Sequence, residues 1–301
     1  MYDIIIIGGG PAGLTAATYA GRAGKSVLVI EKDAFGGQIT WSPKVENFPG
    51  SLSISGVELG DRLLEQAMAQ GAEVELEEVA SVSAEAGHIT VVCLSGAAFQ
   101  GRSLIIATGA KPRALGLPRE KELMGSGVCF CAVCDGACYK GQRVAVNGGG
   151  NSALQDALLL SDYCERVYLI HRRADFRGEA KLVEALKARA NVELMLEAEI
   201  KALLGEDELT GIVVEQRGET RTLPLSGLFV AIGHAPDNAR FKTVMELDEK
   251  GYAVSGEDCL TGTPGVFTAG DCRGKQVRQL TTAVADGSVA ALAACEYLDR
   301  Q

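Results

Sequence analysis

An α/β fold with two separate βαβ units is predicted from three observations. A β-branched run, residues 3–7, meets the glycine turn Gly8-Gly-Gly10-Pro-Ala-Gly13, which opens a helical stretch. The same order returns at residues 143–146 and Gly148-Gly-Gly150-Asn-Ser-Ala153. Between the two lies a cysteine pair, Cys131-Ala-Val-Cys134, followed directly by Asp135. With 301 residues, 47% of them hydrophobic, the chain is long enough to bury two domain cores.

Each element follows from its pattern. The first unit reads as strand 3–7, helix 11–23 and strand 26–31. Residues 72–82 and 88–93 alternate like an antiparallel insertion, and 104–109 form a buried strand ending in a tight turn. The second unit reads as strand 143–146, helix 152–161 and strand 166–170. Residues 228–233 and 265–271 repeat the strand-to-turn form, and 282–298 make a closing helix. Turn residues at Leu117-Pro118 and Pro236-Asp237 mark the expected domain boundaries.

Charge narrows the partners. A net charge of −10 disfavours nucleic acid, and the one basic cluster is His171-Arg172-Arg173-Ala-Asp-Phe-Arg177. The start Met1-Tyr2-Asp3 lacks a basic leader, and the apolar run 4–7 is far shorter than a membrane span, so a cytoplasmic protein is expected. Nine cysteines, an odd number, fit a reducing compartment.

The first glycine turn has the context of a dinucleotide site, because a strand precedes it, a helix follows, and Glu31 ends the next strand about twenty residues on. Gly8 would allow the tight turn, Gly10 the approach of a pyrophosphate to the helix N-terminus, and Gly13 close helix-on-strand packing. The second turn ends in Ala153, and its second strand leads to basic residues rather than an acid. A carboxylate there would repel a ribose 2′-phosphate, whereas Arg172, Arg173 and Arg177 could bind one, which points to NADP. A solvated basic turn is the bland alternative.

Cys131 and Cys134 are spaced to cycle between dithiol and disulfide. Asp135 could give a proton to a released thiolate or merely cap a helix. Cys129 and Cys138 bring four thiols into ten residues, so zinc is the rival reading, although structural zinc sites draw ligands as separated pairs; no metal is expected. Cys93, Cys164, Cys259, Cys272 and Cys295 read as small buried hydrophobes. Two nucleotide sites around one CxxC suggest electrons passing from a nicotinamide, through a second dinucleotide cofactor, to a disulfide. The three histidines, His88, His171 and His234, leave none near the C-terminus to act as acid or base.

On these residues, together with Gly36-Gly37-Gln38, Val45-Glu-Asn47-Phe-Pro-Gly50, Ala107-Thr108-Gly109, 265–271 and Arg278-Gln279, the chain resembles the bacterial low-molecular-weight thioredoxin reductases over essentially its whole length. The resemblance implies two Rossmann-like, three-layer ββα domains, the second inserted into the first. An FAD domain would comprise 1–117 and 237–301, and an NADPH domain carrying the CxxC would comprise 118–236. It implies FAD contacts from Gly8, Gly10, Pro11, Ala12, Gly13, Glu31, Lys32, Gly36, Gly37, Gln38, Asn47, Thr108, Gly109, Asp271, Arg278, Gln279 and Leu280. Asp271 would face the ribityl chain. NADPH contacts would come from Gly148, Gly150, Asn151, Ser152, Ala153, His171, Arg172, Arg173 and Arg177.

The implied cycle passes hydride from NADPH to FAD, and after one domain rotates against the other, electrons reach the Cys131–Cys134 disulfide and then thioredoxin or a thioredoxin-like protein. By the same analogy Cys134 is nearer the flavin, Cys131 attacks the partner, Asp135 is the acid, and the chain is a homodimer. Departures from the family pattern are Ala137-Cys138 in place of a bulky aromatic, Cys129 in place of a small non-thiol residue, and the loop Thr40-Trp41-Ser-Pro43. The alternatives are a same-fold dithiol oxidase or ferredoxin-dependent reductase, which tend to lose the arginines, and a non-catalytic regulator that senses nucleotide, redox state or metal.

Overall fold

The computed structural model describes residues 1–301 except Pro43 and Ala86; the sequence departure at Pro43 lies outside the described residues. The chain begins with β1 (Tyr2–Ile7), α1 (Pro11–Arg22) and β2 (Val27–Glu31), then α2 (Gly56–Ala69), β3 (Glu73–Leu76), β4 (Val79–Glu85), β5 (His88–Cys93), β6 (Ala98–Ile106) and β7 (Ala110–Pro112). It continues through β8 (Val128–Cys129), α3 (Ala132–Asp135), β9 (Arg143–Asn147), α4 (Asn151–Ser161), β10 (Arg166–His171), α5 (Ala180–Lys187) and β11 (Val192–Leu196). Next come β12 (Ala198–Leu204), β13 (Gly211–Gln216), β14 (Glu219–Pro224) and β15 (Gly227–Val230), and it ends with β16 (His234–Pro236), β17 (Val266–Thr268) and α6 (Leu280–Asp299).

Two compact units result, Met1–Lys111 with Ala235–Gln301, and Pro112–His234. The first crossing falls before Pro112, ahead of the Leu117-Pro118 turn that the sequence suggested. The reason is Glu120, a buried carboxylate that accepts backbone N–H bonds from Leu115 and Gly116 at 2.8 Å each, while Leu115 and Leu117 lie against the second unit's core. Such a carboxylate satisfies backbone donors that burial would otherwise leave without water.

In the first unit, β3, β2, β1, β6 and β17 form a parallel array in that order. The first half of β6 also pairs antiparallel with β5, and β5 with β4. The alternation at 72–82 therefore covers two strands with different fates, β3 extending the parallel sheet and β4 entering the antiparallel hairpin. Side-chain alternation reports burial but carries no information on pairing direction.

β1 shows how the core is built. Ile4 and Ile6 face one way, into α1 and α6 residues Leu14, Ala16, Ala17, Ala290 and Ala294. Ile5 and Ile7 face the other, toward Val82, Val91, Phe241 and Met245. All four are 0–5% exposed, each such burial contributing about 1.5–3 kcal/mol.

The second unit repeats this plan. A parallel sheet ordered β11-β10-β9-β15-β8 is accompanied by the antiparallel β12-β13-β14 sheet. Val144 and Val146 pack with α4, and Ala145 packs on the opposite side with Ile212 and Leu223. No helix among the described residues is long and apolar enough to cross a membrane.

Candidate functional site

The first glycine turn connects β1 to α1. Gly8 has φ +111°, and a Cβ there would stand 2.3 Å from the Ala107 carbonyl oxygen, so only glycine turns the chain so sharply. A Cβ on Gly13 would stand 1.9 Å from the Gly8 carbonyl oxygen, which makes Gly13 the close-packing residue. Gly10 differs, because a Cβ there would meet nothing nearer than 4.0 Å. Its freedom is toward open space at a helix N-terminus, where backbone N–H groups lack intrahelical partners and Pro11 occupies the first helical position. That is the geometry of an anion cradle.

Glu31 anchors the turn. Its Oε2 accepts from the Gly9 N–H at 2.7 Å, and its Oε1 from the Lys32 and Asp33 N–H groups at 2.9 and 2.8 Å. Lys32 is paired with Asp237. Gly36 donates its N–H to the Gly9 carbonyl at 2.8 Å, and Gly37 lies against the Gly10 backbone, so both pack beside the cradle.

Further along, Gln38 Nε2 donates to the Ala110 carbonyl, and Gly109 (φ +68°) lies beside that amide. Thr108 donates its hydroxyl to Asn238 Oδ1 at 3.1 Å. Asn238 is fully buried and reaches on to the carbonyls of Gly251 and Cys272, a linking role that sequence reading missed. Asn47 lies on an exposed loop.

Asp271 carries the clearest mark of a ligand. Its Oδ1 is the one buried side-chain oxygen or nitrogen without a hydrogen-bond partner among the described residues. Burial pushes this carboxyl up from the ordinary range, opposed by the charges of Lys275 and Arg278. An orphaned buried acceptor costs about 1–3 kcal/mol, which a ligand hydroxyl would recover. The residues therefore fit a nucleotide cofactor with a polyhydroxyl chain. Arg278 is fixed beside it, stacked on Tyr252 at 4.2 Å and donating to the Asp271 and Arg273 carbonyls. Gln279 caps α6 reciprocally with Thr282, and Leu280 packs with Val45, Ile54 and Leu59.

The second turn copies the first with different anchors. A Cβ on Gly148 would meet the Ala231 carbonyl oxygen at 2.4 Å and the Ala153 Cβ at 2.7 Å, and one on Gly150 would meet nothing within 4 Å. Behind Gly149 stands the His171 ring, 2.3 Å from where a Cβ would go. His171 is buried, stacks on Phe176 and donates Nε2–H to the Asp175 carbonyl. Burial, with the Arg177, Arg173 and Arg172 charges beside it, holds this imidazole below its usual range.

His171 is therefore a neutral wedge under the turn, where the sequence grouped it with the arginines. Arg172, Arg173 and Arg177 are exposed and make no ion pair among the described residues. Arg177 and Gly178 donate backbone N–H to the Gly149 carbonyl, and Asn151 holds Glu179 through two hydrogen bonds, so the arginine loop is fastened to the turn. Ser152 is exposed in the first turn of α4.

Cys131 and Cys134 form a disulfide with Cα atoms 5.3 Å apart, at the start of α3. Cys131 is the N-cap, and Asp135 closes the short helix. Burial pushes the Asp135 carboxyl up to about 6, so it can hold a proton near neutrality. Cys129 turns away into the core, with Sγ 3.3 Å from the Tyr139 hydroxyl, and burial pushes its thiol up to about 12. Cys138 is exposed, and Cys93, Cys164, Cys259, Cys272 and Cys295 are buried. No group of three or more His, Cys, Asp or Glu side chains could hold a metal among the described residues.

Two nucleotide cradles and one accessible disulfide define a flavin- and pyridine-nucleotide-dependent disulfide oxidoreductase. Residues 2–287 match the pyridine nucleotide-disulphide oxidoreductase family, and the chain belongs to it. It is 40% identical over 302 positions to the bifunctional thioredoxin reductase/thioredoxin of Mycobacterium leprae, covering 99% of this chain and 66% of that relative. Among solved structures it resembles thioredoxin reductase from Streptococcus pyogenes, with TM-score 0.94 and 35% identity over 100% of this chain and 99% of the other. The thioredoxin reductase of Giardia duodenalis is similar as well, with TM-score 0.90 and 36% identity over 99% of each chain.

Proposed function

We propose that the protein is an NADPH-dependent thioredoxin-disulfide reductase that uses FAD in the first cradle and NADPH in the second. The observation that carries this reading is the Cys131–Cys134 disulfide lying in the same compact unit as the second cradle and its outward arginines. The names of the relatives support thioredoxin or a thioredoxin-like protein as the partner.

A flavin bound in the first cradle would accept a hydride equivalent from the nicotinamide and supply two electrons to a disulfide. The chain's own residues do the rest. Gly10 and the first turn of α1 would hold the pyrophosphate, Glu31 would accept from ribose hydroxyls, and Asp271 Oδ1 would accept from a hydroxyl of the ribityl chain. Arg172, Arg173 and Arg177 bind the 2′-phosphate.

Reduction of Cys131–Cys134 consumes two electrons and two protons and leaves two thiols. Asp135 gives one of these protons to the first thiolate released and is re-protonated from water, while the other is the hydrogen of the hydride equivalent; when a partner disulfide is reduced, both thiol protons pass to the two partner thiols. Cys129 and Tyr139 stay protonated and take no part, since burial raises both.

A dithiol oxidase or a ferredoxin-dependent reductase on the same fold would have no use for three exposed arginines without an ion pair among the described residues. A metal-responsive regulator is disfavoured by the engagement of Cys129 with Tyr139. The thiol-rich composition supports a cytoplasmic site, and family resemblance supports a homodimer.

The test is an anaerobic titration with NADPH and with NADH, following flavin absorbance, then addition of oxidised thioredoxin. Bleaching by NADPH with recovery on thioredoxin is the expected result. A flavin that only a dithiol or reduced ferredoxin bleaches would overturn the proposal.

A further inference from the structure

We infer that Asp286, held between Arg273 and Lys275, is a positioning residue of the flavin site that sets the Asp271 loop against the first glycine cradle. The inference rests on the flavin reading above, but Asp286, Arg273 and Lys275 are outside every nucleotide motif of the sequence.

Asp286 lies on α6 with its side chain 9% exposed and accepts four hydrogen bonds. Its Oδ1 accepts from Arg273 Nη2 at 2.8 Å, and its Oδ2 accepts from Arg273 Nε at 2.8 Å, Lys275 Nζ at 2.9 Å and the Gly270 N–H at 3.0 Å. The Gly270 contact matters most, because Gly270 directly precedes Asp271, whose Oδ1 is left open for a ligand. Gly270 adopts φ +79°, and a Cβ there would stand 2.9 Å from the Ala12 Cβ.

The residue after Asp286 makes the matching contact. A Cβ on Gly287 would come within 2.2 Å of the Ala12 carbonyl oxygen, so α6 approaches the first turn of α1 with no room for a side chain. One turn of α6 thus touches both the pyrophosphate cradle, at Ala12, and the ribityl-facing loop, at Gly270. These parts come from opposite ends of the chain.

The charge balance supports a role beyond packing. Two buried cations share one carboxylate and leave a net positive charge, and the side chains of Arg273 and Lys275 are each only 8% exposed. A fold that needed only an anchor would be served by one cation, since surplus buried charge is costly. Burial pushes the Asp271 carboxyl up, Lys275, Arg278 and Arg273 oppose that, and Asp286 itself adds to it, so what Asp286 contributes to Asp271 is placement of the loop through the Gly270 N–H. The open Oδ1 of Asp271 is an acceptor that a ligand hydroxyl can satisfy.

The test is a double-mutant cycle on FAD affinity, read by quenching of flavin fluorescence as FAD is titrated into apo-protein. Asp271→Asn and Asp286→Asn are each expected to weaken FAD binding about tenfold, the scale of one lost charge-assisted hydrogen bond. The double variant should bind no more weakly than the weaker single variant, because both changes act through one contact. Asp286→Asn should also shift the midpoint potential of the bound flavin, which a purely structural role would leave in place.

Binding by Asp286→Asn within twofold of the wild type, or losses that multiply in the double variant, would overturn the inference. If Asp286→Asn does not fold, the apolar replacement Arg273→Met/Lys275→Met/Asp286→Leu takes its place, since it removes the whole charge cluster without stranding one partner. Weakened FAD binding by that folded variant is expected, and undiminished binding would overturn the inference. A wild-type apo-protein that binds no FAD would instead bring down the flavin reading on which this one rests.

Discussion

The Tyr163 hydroxyl lies 2.3 Å from where a Cβ on Gly136 would stand, so the redox segment rests beside the end of α4 through a glycine that has no room for a methyl group. Gly136→Ala should therefore displace the segment that follows Cys134 and Asp135. A destabilisation of about 1–3 kcal/mol, the usual range for overpacking, should accompany slower reduction of the partner disulfide. Tyr163→Phe in the same chain removes the colliding oxygen and leaves the flexible Leu160 Cδ2 at 3.0 Å and Cζ at 3.4 Å, so melting temperature and turnover should return in part. No recovery in the double variant would mean that the contact does not position the disulfide.

Burial pushes both Asp135 and Asp156 up to about 6 from the ordinary carboxyl value of 3.8. Between about pH 4 and pH 6 the unfolded chain has released these protons while the folded chain still holds them. The unfolded state then binds fewer protons, so their contribution makes stability fall as pH rises through that window and level off above it. Chemical denaturation at several pH values should show a shallower fall in Asp135→Asn/Asp156→Asn than in the wild type. Identical slopes would refute the assignment. Disulfide cleavage should also slow as pH rises through about 6, an inflection that Asp156→Asn keeps and Asp135→Asn loses.

The unpaired arginines predict cofactor choice. Arg172→Ala and Arg177→Ala should each weaken NADPH binding about tenfold or more, on the scale of one charge-assisted hydrogen bond, and leave NADH binding unchanged. Equilibrium titration with both nucleotides tests this. Equal losses for the two nucleotides would place the arginines elsewhere than at a 2′-phosphate.

Gly10 and Gly150 separate binding from folding. Neither has a positive φ, and a Cβ on either meets open space, so Gly10→Ala and Gly150→Ala should fold with melting temperatures near the wild type. Gly10→Ala should lose FAD affinity and Gly150→Ala should lose NADPH affinity, each with little effect on the other. Gly13→Ala, by contrast, should fail to fold normally, because its methyl would overlap the Gly8 carbonyl. Unaltered nucleotide affinities in the first two variants would show that the open spaces are not the cradles.

Local order along the chain made much of this legible. The run Ile4–Ile7 ahead of three glycines, its echo ahead of Gly148, and Cys131 with Cys134 each carry their meaning within a few residues. Asn238, Glu120 and Asp286 do not. Asn238 is informative only when it meets Thr108, 130 positions away, and Asp286 only when Arg273 and Gly270 turn back upon it. His171 shows the converse. Its neighbours in sequence are cations, but its ring points inward under Gly149, and strand alternation alone did not reveal that its side of β10 is buried. The first domain crossing was placed late for the same reason, since Glu120 gathers the preceding loop from a position that no turn pattern marks.

The two glycine turns are braced in unlike ways, one by the Glu31 side chain accepting from three backbone N–H groups and the other by the ring of His171. The carboxylate fixes the first turn before any ligand arrives, which lowers the ordering entropy of binding and lengthens residence. The second turn is held instead through its Gly149 carbonyl by the arginine loop, and on the proposed reading a phosphate there would meet exposed arginines whose attraction salt screens. One cradle is thereby suited to a prosthetic group kept through many turnovers, and the other to a substrate that must leave after each one.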